Sequence, residues 1–214
     1  MSLQADLNTA YSDFQKAAPA AVVSTFGSGV QALQQTFDTS KAIQPGQALP
    51  SFELQDATGH PISSTTLLAK GPLLLSFYRG EWCPFCNLEL RALQKRLPDF
   101  QAAGVTLVAI SPQLPDASLS MAEKNALQFP VLSDVGNKLA RQLGIVWEQP
   151  DSFKPILTGF GVDWSRGYGD ESFAVPIPAT ILVGADGVVK NVFVDPDYTK
   201  RLEPETALEW VKSL

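Results

Sequence analysis

Apolar residues recur in the N-terminal part of the chain at the spacing of amphipathic helices. The two stripes consist of Leu3, Leu7, Tyr11 and Phe14, then Phe26, Val30, Leu33 and Phe37. Residues three or four positions apart share one face of a helix, so the stripes predict helices near residues 2–16 and 20–37. We interpret residues 1–42 as a helical hairpin that either covers an edge of the following domain or serves as a dimer arm.

From residue 43 onward, short apolar runs alternate with helical patterns. Pro72 to Tyr78 is largely apolar, as in a strand that is buried on both faces of a sheet. A helical pattern follows it, and a second apolar run from Val105 to Ile110 completes a βαβ unit. Apolar runs on both sides of Asp186-Gly187 predict a β-hairpin, and residues 203–214 predict a terminal helix. The pattern therefore predicts one α/β domain over residues 43–214.

Both cysteines of the chain lie where the first of these strands turns into a helix. Pro84 suits the first helical position, because its missing N–H would be unpaired there in any case. Cys83 is then the N-cap, and Cys86 lies in the first turn. A helix N-terminus favours a thiolate and lowers the pKa of a cysteine from about 8.5 to roughly 3.5–7.5. The motif therefore predicts a redox site, with Cys83 as the more acidic thiol.

Composition limits which functions other than a redox site the chain could have. Two cysteines and one histidine, His60, cannot supply the four ligands of a structural zinc site within one chain. A non-catalytic binding module with an intersubunit metal or Fe–S site remains a separate hypothesis. The formal net charge is -6 with scattered Lys and Arg, which argues against nucleic-acid binding. No apolar run approaches the roughly 18 residues of a membrane span. We expect no cofactor and a cytoplasmic location.

The cysteine motif resembles a known active site. Glu81 to Cys86 resembles the thioredoxin and glutaredoxin motif, and the chain from about Ile43 onward is similar to the peroxiredoxin-like branch of the alkyl hydroperoxide reductase and thiol-specific antioxidant family. The longer resemblance rests on Phe77-Tyr78, Asn87-Leu88-Glu89-Leu90, Val108-Ala109-Ile110-Ser111 and Phe129-Pro130-Val131-Leu132-Ser133-Asp134. It implies a thioredoxin-like fold, in which helices flank a central mixed sheet.

The resemblance implies two different sets of roles. A peroxiredoxin places its attacking thiolate at Cys86, and has Thr or Ser at the position of Cys83, Pro at that of Arg79 and a distant Arg at that of Pro178. A thiol–disulfide oxidoreductase instead attacks with Cys83 and resolves with Cys86. It pairs with its substrate beside a cis-proline, which Pro178 matches.

Three further residues near the motif are candidates for supporting roles. Arg79 is either a cation that stabilises a thiolate or a surface arginine beside Glu81. Trp82 is expected to pack beside the cysteines and to shape the surface that meets a partner. Phe77 stands where thioredoxins have a buried acid, so we expect proton transfer to involve Glu81 or water.

An aromatic-rich stretch from Glu148 to Ala174 shows little regular pattern. Long loops of this kind are often functional, so we interpret the stretch as either a lid over the active site or a self-packed surface loop.

The sequence therefore predicts a thiol-dependent peroxidase that reduces hydroperoxides with a thioredoxin- or glutathione-type reductant. A thiol–disulfide oxidoreductase acting on protein or low-molecular-weight disulfides is the alternative. Neither nucleic acid nor membrane is an expected partner, and the hairpin leaves a homodimer open.

Overall fold

The computed structural model describes residues 2–214 of the chain, so Met1, which the predicted hairpin includes, lies outside the described residues. The two predicted N-terminal helices are confirmed as α1, Leu3–Ala17, and α2, Ala20–Thr36. Leu7 and Phe26 from their apolar stripes lie in one buried cluster with residues of the main domain. The hairpin therefore covers the domain of its own chain.

Strands of the chain form one large sheet and one small one. The strands are β1 Glu53–Asp56, β2 Pro61–Ser63, β3 Leu73–Phe77, β4 Thr106–Ser111, β5 Val131–Ser133, β6 Val146–Glu148, β7 Ala174–Pro176, β8 Ala179–Val183 and β9 Val189–Val194. Within residues 2–214, seven strands form a mixed sheet in the order β2-β1-β5-β4-β3-β8-β9, and β6 pairs with β7. The central strand β3 is parallel to β4 and antiparallel to β8.

Helices cover both faces of the large sheet. They are α3 Ser64–Leu68, α4 Pro84–Ala102, α5 Pro115–Lys124, α6 Lys138–Gln142, α7 Lys154–Gly159, α8 Trp164–Gly167 and α9 Pro204–Lys212, with short 3-10 helices at Thr39–Lys41 and Asp151–Phe153. Alternate residues of β3 face opposite clusters, with Leu74 in the one that contains the hairpin and Leu75 in the other. Among residues 2–214, no helix is long and apolar enough to cross a membrane.

The predicted irregular stretch from Glu148 to Ala174 is more ordered than its sequence pattern indicates. It contains α7 and α8 as well as a 3-10 turn, and then enters β7. Trp164 at the start of α8 stacks on Tyr168, with ring centroids 3.8 Å apart. This aromatic packing gives the segment a fixed shape next to the end of β3.

Candidate active site

The two cysteines lie at the start of α4, as predicted. Cys83 is the N-cap, Pro84 opens the helix, and the Cys83 sulfur accepts a hydrogen bond from the Cys86 backbone N–H at 3.3 Å. The helix starts here because Pro84 has the φ of a first helical residue and needs no partner for a missing N–H. The N-terminal end of α4 therefore points its positive dipole end at the Cys83 sulfur.

Both sulfurs are withdrawn from solvent and lie in direct contact. Cys83 and Cys86 are free thiols with 0% exposure each. The Cys86 thiol donates a hydrogen bond to Cys83 Sγ across 2.6 Å. Since a disulfide joins sulfurs about 2.05 Å apart, the pair can close a bond with little movement of the helix.

Arg79 provides the cation beside Cys83. Its Nη2 donates to Cys83 Sγ at 3.2 Å, and the residue is only 4% exposed, so the interpretation as a surface arginine is wrong. The guanidinium carbon lies 3.8 Å from the ring centroid of Tyr198 and 5.0 Å from that of Trp82. Arg79 Nε is buried without a hydrogen-bond partner. The Nε–H of Arg79 thus has no partner among residues 2–214, and the guanidinium lies against the rings of Tyr198 and Trp82.

A tyrosine from the aromatic segment holds the backbone around Arg79. The Tyr168 hydroxyl donates to the Arg79 carbonyl at 2.8 Å and accepts from Trp82 Nε1 at 2.7 Å. Gly80 makes this approach possible, because a Cβ there would lie 2.5 Å from the Tyr168 hydroxyl oxygen. The segment between β6 and β7 therefore fixes the loop that carries Arg79 and Trp82.

Arg201 provides a second cation, which faces Cys86. Its Nη2 donates to Cys86 Sγ at 3.6 Å, and its Nε donates to a carboxylate oxygen of Glu89 at 2.7 Å. The side chains of this ion pair are 1% and 2% exposed. Arg201 Nη1 donates to the backbone carbonyls of Tyr198 and Lys200. Each sulfur of the motif therefore has its own buried arginine.

These surroundings separate the acidities of the two thiols. Burial alone would raise the pKa of Cys83, but the hydrogen bond from Cys86 and the charges of Arg79 and Arg201 lower it to about 5. Burial raises the pKa of Cys86 well above its usual range, and its hydrogen bond to the neighbouring Cys83 thiolate raises it further. At neutral pH the pair is therefore a Cys83 thiolate that accepts a hydrogen bond from a Cys86 thiol.

Glu89 is a buried acid that the sequence interpretation did not assign. Burial raises its pKa to about 7 even though Arg201 acts in the opposite direction. Glu81, which the sequence analysis offered beside water for proton transfer, takes part through its backbone, since its N–H donates to Gln113 and its carbonyl accepts from Asn87. The buried carboxylate next to the cysteines is therefore on α4 rather than in the preceding loop.

Pro178 lies just before a strand, as predicted, but its peptide bond is trans rather than cis. It is buried immediately before Ala179, which pairs with Phe77 at the end of β3. No cis peptide bond occurs among residues 2–214, so the cis-proline that the resemblance implied is wrong. Pro178 therefore precedes β8 with a trans bond, in the two-residue connection that follows β7.

An apolar cavity of about 320 Å³ opens next to Arg79. Phe14 and Phe26 of the hairpin form one wall, and Leu157 and Phe160 line another side. Trp82, Pro84, Phe85 and Tyr198 complete the lining around Arg79. Arg79 therefore both contacts the Cys83 sulfur and lines an apolar chamber.

The site contains residues that sequence reasoning did not find. Tyr198 and Arg201 belong to the segment between β9 and α9, and Arg201 is 115 residues from Cys86 along the chain. Glu89 offered a weak signal, because an acid three residues after Cys86 lies one helical turn further along the same face. Arg201 offered none, since only the packing of the C-terminal segment brings it to the cysteines.

Comparisons with known proteins agree with this architecture. A sequence profile of the AhpC/TSA family matches residues 45–192, which is more than half of the chain. Peroxiredoxin Q, chloroplastic, of Populus jackii is 34% identical over 103 residues, which span 48% of each protein. The chain therefore spans about half the length of that relative. Peroxiredoxin Bcp of Escherichia coli K12 is 25% identical over 170 residues, covering 79% of this chain and 96% of that protein.

Solved structures show the same fold. The crystal structure of Peroxidoxin BcpB from Mycobacterium tuberculosis matches with a TM-score of 0.63 at 23% identity, covering 80% of this chain and 98% of that chain. At this level of identity the likeness establishes the fold alone. It confirms the predicted thioredoxin-like α/β architecture with its central mixed sheet.

Proposed function

We propose that this chain, which belongs to the AhpC/TSA family, is a thiol-dependent peroxidase that reduces hydroperoxides through a Cys83–Cys86 disulfide. The relatives named peroxiredoxins support peroxidase chemistry. The observation that carries the proposal is the Cys83 thiolate, buried between the Arg79 guanidinium and the Cys86 thiol.

The reaction begins with attack by the Cys83 thiolate on the terminal oxygen of a hydroperoxide. An S–O bond forms and the O–O bond breaks, so Cys83 becomes a sulfenic acid and the leaving alkoxide takes up a proton to give an alcohol. Negative charge develops on the departing oxygen, and Arg79, the buried cation 3.2 Å from Cys83 Sγ, can stabilise it. Arg79 thus serves both the nucleophile and the leaving group.

Resolution follows between the two cysteines. The Cys86 sulfur attacks the Cys83 sulfenic sulfur, an S–S bond forms, the S–O bond breaks, and the hydroxide combines with the Cys86 proton to give water. A dithiol or thiol reductant of the thioredoxin or glutathione type then returns two electrons. The buried sulfurs must become accessible for this last step, so reduction includes an opening of the site.

The assignment of Cys83 as the attacking thiol differs from the one that the family resemblance implied. That resemblance places attack at Cys86. In the folded chain, however, Cys86 is a hydrogen-bond donor with a raised pKa, whereas Cys83 is the acceptor with a lowered pKa. Since the thiolate rather than the thiol is the nucleophile, these partners favour Cys83.

Burial of both sulfurs favours a small oxidant over a protein disulfide. The apolar cavity of about 320 Å³ beside Arg79 has room for a hydroperoxide next to the motif, whereas a protein disulfide reaches a sulfur with 0% exposure only after the site opens. A thiol–disulfide oxidoreductase remains the second candidate. One observation favours it, because its attacking cysteine would also be the N-cap residue Cys83.

The test is rapid-mixing oxidation of the wild type and of single cysteine variants by hydrogen peroxide and by cumene hydroperoxide. We expect Cys83→Ser to lose the reaction and Cys86→Ser to complete one turnover, which leaves a sulfenic acid that a dimedone probe captures. The double variant Cys83→Ser/Cys86→Ser gives the background rate.

Two outcomes would contradict the proposal. A single turnover that survives in Cys83→Ser and is lost in Cys86→Ser would place the nucleophile at Cys86. A wild type that ignores hydroperoxides, together with a Cys86→Ser variant that accumulates mixed disulfides with substrate proteins, would favour the disulfide oxidoreductase.

A further inference from the structure

We propose that Asn87 is a positioning residue for Cys83, whose carbonyl it holds so that the Cys83 sulfur stays in contact with Cys86 and Arg79. Asn87 lies in the first turn of α4, directly after Cys86, and is only 4% exposed. The effect on peroxide reduction rests on the proposed function. The effect on the Cys83 sulfur does not, and it can be measured in the reduced protein by itself.

The side-chain amide of Asn87 joins the start of α4 to the loop before it. Its Nδ2 donates to the carbonyls of Glu81 and Cys83, each at 2.8 Å. The Asn87 backbone N–H already donates to the Cys83 carbonyl at 3.1 Å, as the geometry of an α-helix requires. The side-chain bond to that carbonyl is therefore additional to those of the helix, and it ties the N-cap residue to the preceding loop.

The Glu81 carbonyl belongs to a tight turn that ends at Cys83. The Cys83 N–H donates to the Gly80 carbonyl at 3.1 Å, which closes a four-residue turn over residues 80–83. Cys83 is thus the last residue of the turn and the N-cap of α4 at the same time. Because Asn87 binds a carbonyl of the turn and the carbonyl of the N-cap residue, it fixes the turn and the helix relative to each other.

Asn125, at the end of α5, orients the Asn87 amide. Its Nδ2 donates to Asn87 Oδ1 at 2.8 Å and to the Met121 carbonyl at 3.0 Å, while its Oδ1 accepts from Arg91 Nη1 at 3.3 Å. Asn125 is 6% exposed. The two backbone carbonyls can only accept, so Asn87 must turn its nitrogen to them and its oxygen to Asn125. Both amides are fully paired, and a buried network of this kind is rigid.

The contacts of the Cys83 sulfur depend on the conformation that these bonds hold. The sulfur accepts from the Cys86 N–H at 3.3 Å, from Cys86 Sγ at 2.6 Å and from Arg79 Nη2 at 3.2 Å. Hydrogen bonds weaken steeply away from their preferred distances and angles, so a looser turn at Cys83 weakens all three together. Burial acts to raise the pKa of Cys83, and the hydrogen bonds from Cys86 and the charge of Arg79 lower it. Loss of the Asn87 amide should therefore raise this pKa.

The first experiment titrates the thiolate of the reduced protein in the absence of peroxide. The ultraviolet absorbance of the thiolate is recorded against pH, with Cys83→Ser as the baseline. We expect Asn87→Leu, which keeps the approximate size of the side chain and removes its donors, to raise the pKa of Cys83 by about one unit, equivalent to one hydrogen bond of average strength.

Asn125→Ala tests whether the two amides act as one unit. It leaves Asn87 in place but removes the donor that orients its amide, so we expect a smaller increase in the pKa of Cys83. The double variant Asn87→Leu/Asn125→Ala should show the same shift as Asn87→Leu alone, because Asn125 acts on Cys83 only through Asn87.

The second experiment follows oxidation by hydrogen peroxide against pH. The pKa of Cys83 is lowered to about 5 in the wild type. An increase of about one unit reduces the thiolate fraction about threefold at pH 5.5 and hardly changes it at pH 8. We therefore expect Asn87→Leu to react about threefold more slowly than the wild type at pH 5.5 and at nearly the wild-type rate at pH 8.

Gln94→Leu is the matched control. Gln94 lies seven residues after Asn87 on α4, or about 10 Å along the helix. Its Oε1 accepts from the Gln128 N–H at 2.8 Å, so it also joins α4 to the chain that follows α5. Its loss should lower stability to some degree, but it should change neither the thiolate titration nor the rate at pH 5.5.

The outcomes separate a positioning role from a purely structural one. An unchanged pKa of Cys83 in Asn87→Leu overturns the inference and leaves Asn87 as a contact between α4 and α5. An equal shift in Gln94→Leu also overturns it, since the effect would then belong to the helix as a whole. If Asn87→Leu proves poorly folded by circular dichroism, Asn125→Ala carries the test in the same titration. A wild type that does not react with hydroperoxides contradicts the proposed function, while the titration still decides the role of Asn87.

Discussion

Cys83 and Cys86 have the same chemistry, the same helix and the same burial, yet they differ in acidity. Both are 0% exposed, and an arginine donates to each. The difference lies in the hydrogen bond between the two sulfurs, which Cys86 donates and Cys83 accepts, and in the Arg79 guanidinium 3.2 Å from Cys83 Sγ. Burial is equal for both thiols and therefore does not decide which one ionises. The hydrogen bond from Cys86 and the charges of Arg79 and Arg201 lower the pKa of Cys83, and the same hydrogen bond raises that of Cys86.

Arg79→Gln should have the largest effect on the reactivity that separates Cys83 from Cys86. The change removes a hydrogen bond to a charged group, worth about 1.5–3 kcal/mol, and the cation beside Cys83, so we expect oxidation by hydrogen peroxide to slow about a hundredfold at pH 7. Rapid mixing measures the rate. Raising the pH should recover the part that comes from lost ionisation, and Arg79→Lys should recover more. A variant that reacts at the wild-type rate would show that Arg79 is not the cation of the first step.

The pH dependence of the wild type should be the next largest effect. The pKa of Cys83 is lowered to about 5, so the thiolate is present above that pH and is lost below it. We expect the rate of oxidation to be nearly constant near neutral pH and to fall about tenfold for each unit below 5, as for any reaction of an ionised group. A rate that keeps rising with pH through 8 and 9 would instead indicate attack by a thiol of ordinary acidity.

The free energy of unfolding should depend on pH through two buried groups, Cys83 and Glu89, in opposite directions. The folded pKa of Cys83 lies below its ordinary value of 9.0, so its contribution to the free energy of unfolding is complete above pH 9 and is lost as the pH falls through about 5. The pKa of Glu89 is raised from 4.5 to about 7, so its contribution is complete below pH 4.5 and is lost as the pH rises through 7.

Urea unfolding between pH 5 and 9 measures both contributions. The stability of wild type relative to Cys83→Ser should increase with pH over this range, and that of wild type relative to Glu89→Gln should decrease between pH 5 and 7. Differences that do not change with pH would contradict the assigned charge states.

Tyr198→Leu should have a moderate effect that is confined to the Cys83 side. A cation over an aromatic ring gains about 0.5–2 kcal/mol, so loss of the ring should slow oxidation by roughly three- to tenfold. Tyr198→Phe keeps the ring and is the control. The carbonyl of Tyr198, which accepts from Arg201, remains in both variants. We therefore expect the alkylation pKa of Cys86 to stay the same, and a change there would show that the two sides are not independent.

The smallest effect should come from Phe14→Ala in the wall of the cavity. Phe14 packs on Phe26 with ring centroids 5.9 Å apart, and both line the chamber beside Arg79. We expect KM for cumene hydroperoxide to increase about threefold through lost apolar contact, with little change for hydrogen peroxide. Leu119→Ala, on the exposed face of α5, is the control. An equal change for both hydroperoxides would show that the wall does not contact the organic group.

Much of the fold could be predicted from local pattern. The stripes of Leu3 to Phe14 and of Phe26 to Phe37 have helical spacing, and α1 and α2 form there because each helix has one apolar face to bury. The segment from Glu148 to Ala174 was harder, because its short helices α7 and α8 depend on aromatic packing against the end of β3.

The sequence by itself also determined where the chemistry takes place. Cys83, Pro84 and Cys86 define a helix N-terminus with a thiol at the N-cap, and these are local properties of the chain. The peroxiredoxin-like resemblance then implied the reaction class and attack by Cys86, while the thioredoxin-like motif implied a cis bond at Pro178, which the structure contradicts.

The sequence predicted Cys83 as the more acidic thiol from its N-cap position, but only the tertiary structure showed which cations lie beside each sulfur. The sequence left open whether Arg79 is exposed or buried. In the structure it is buried, with Tyr168 bonded to its carbonyl and the Tyr198 ring against its guanidinium. Arg201 reaches Cys86 across 115 residues of sequence, and no local pattern reports such a contact. The physical reason is that the charge state of a buried group depends on neighbours within a few ångströms in space, which distant parts of the chain supply.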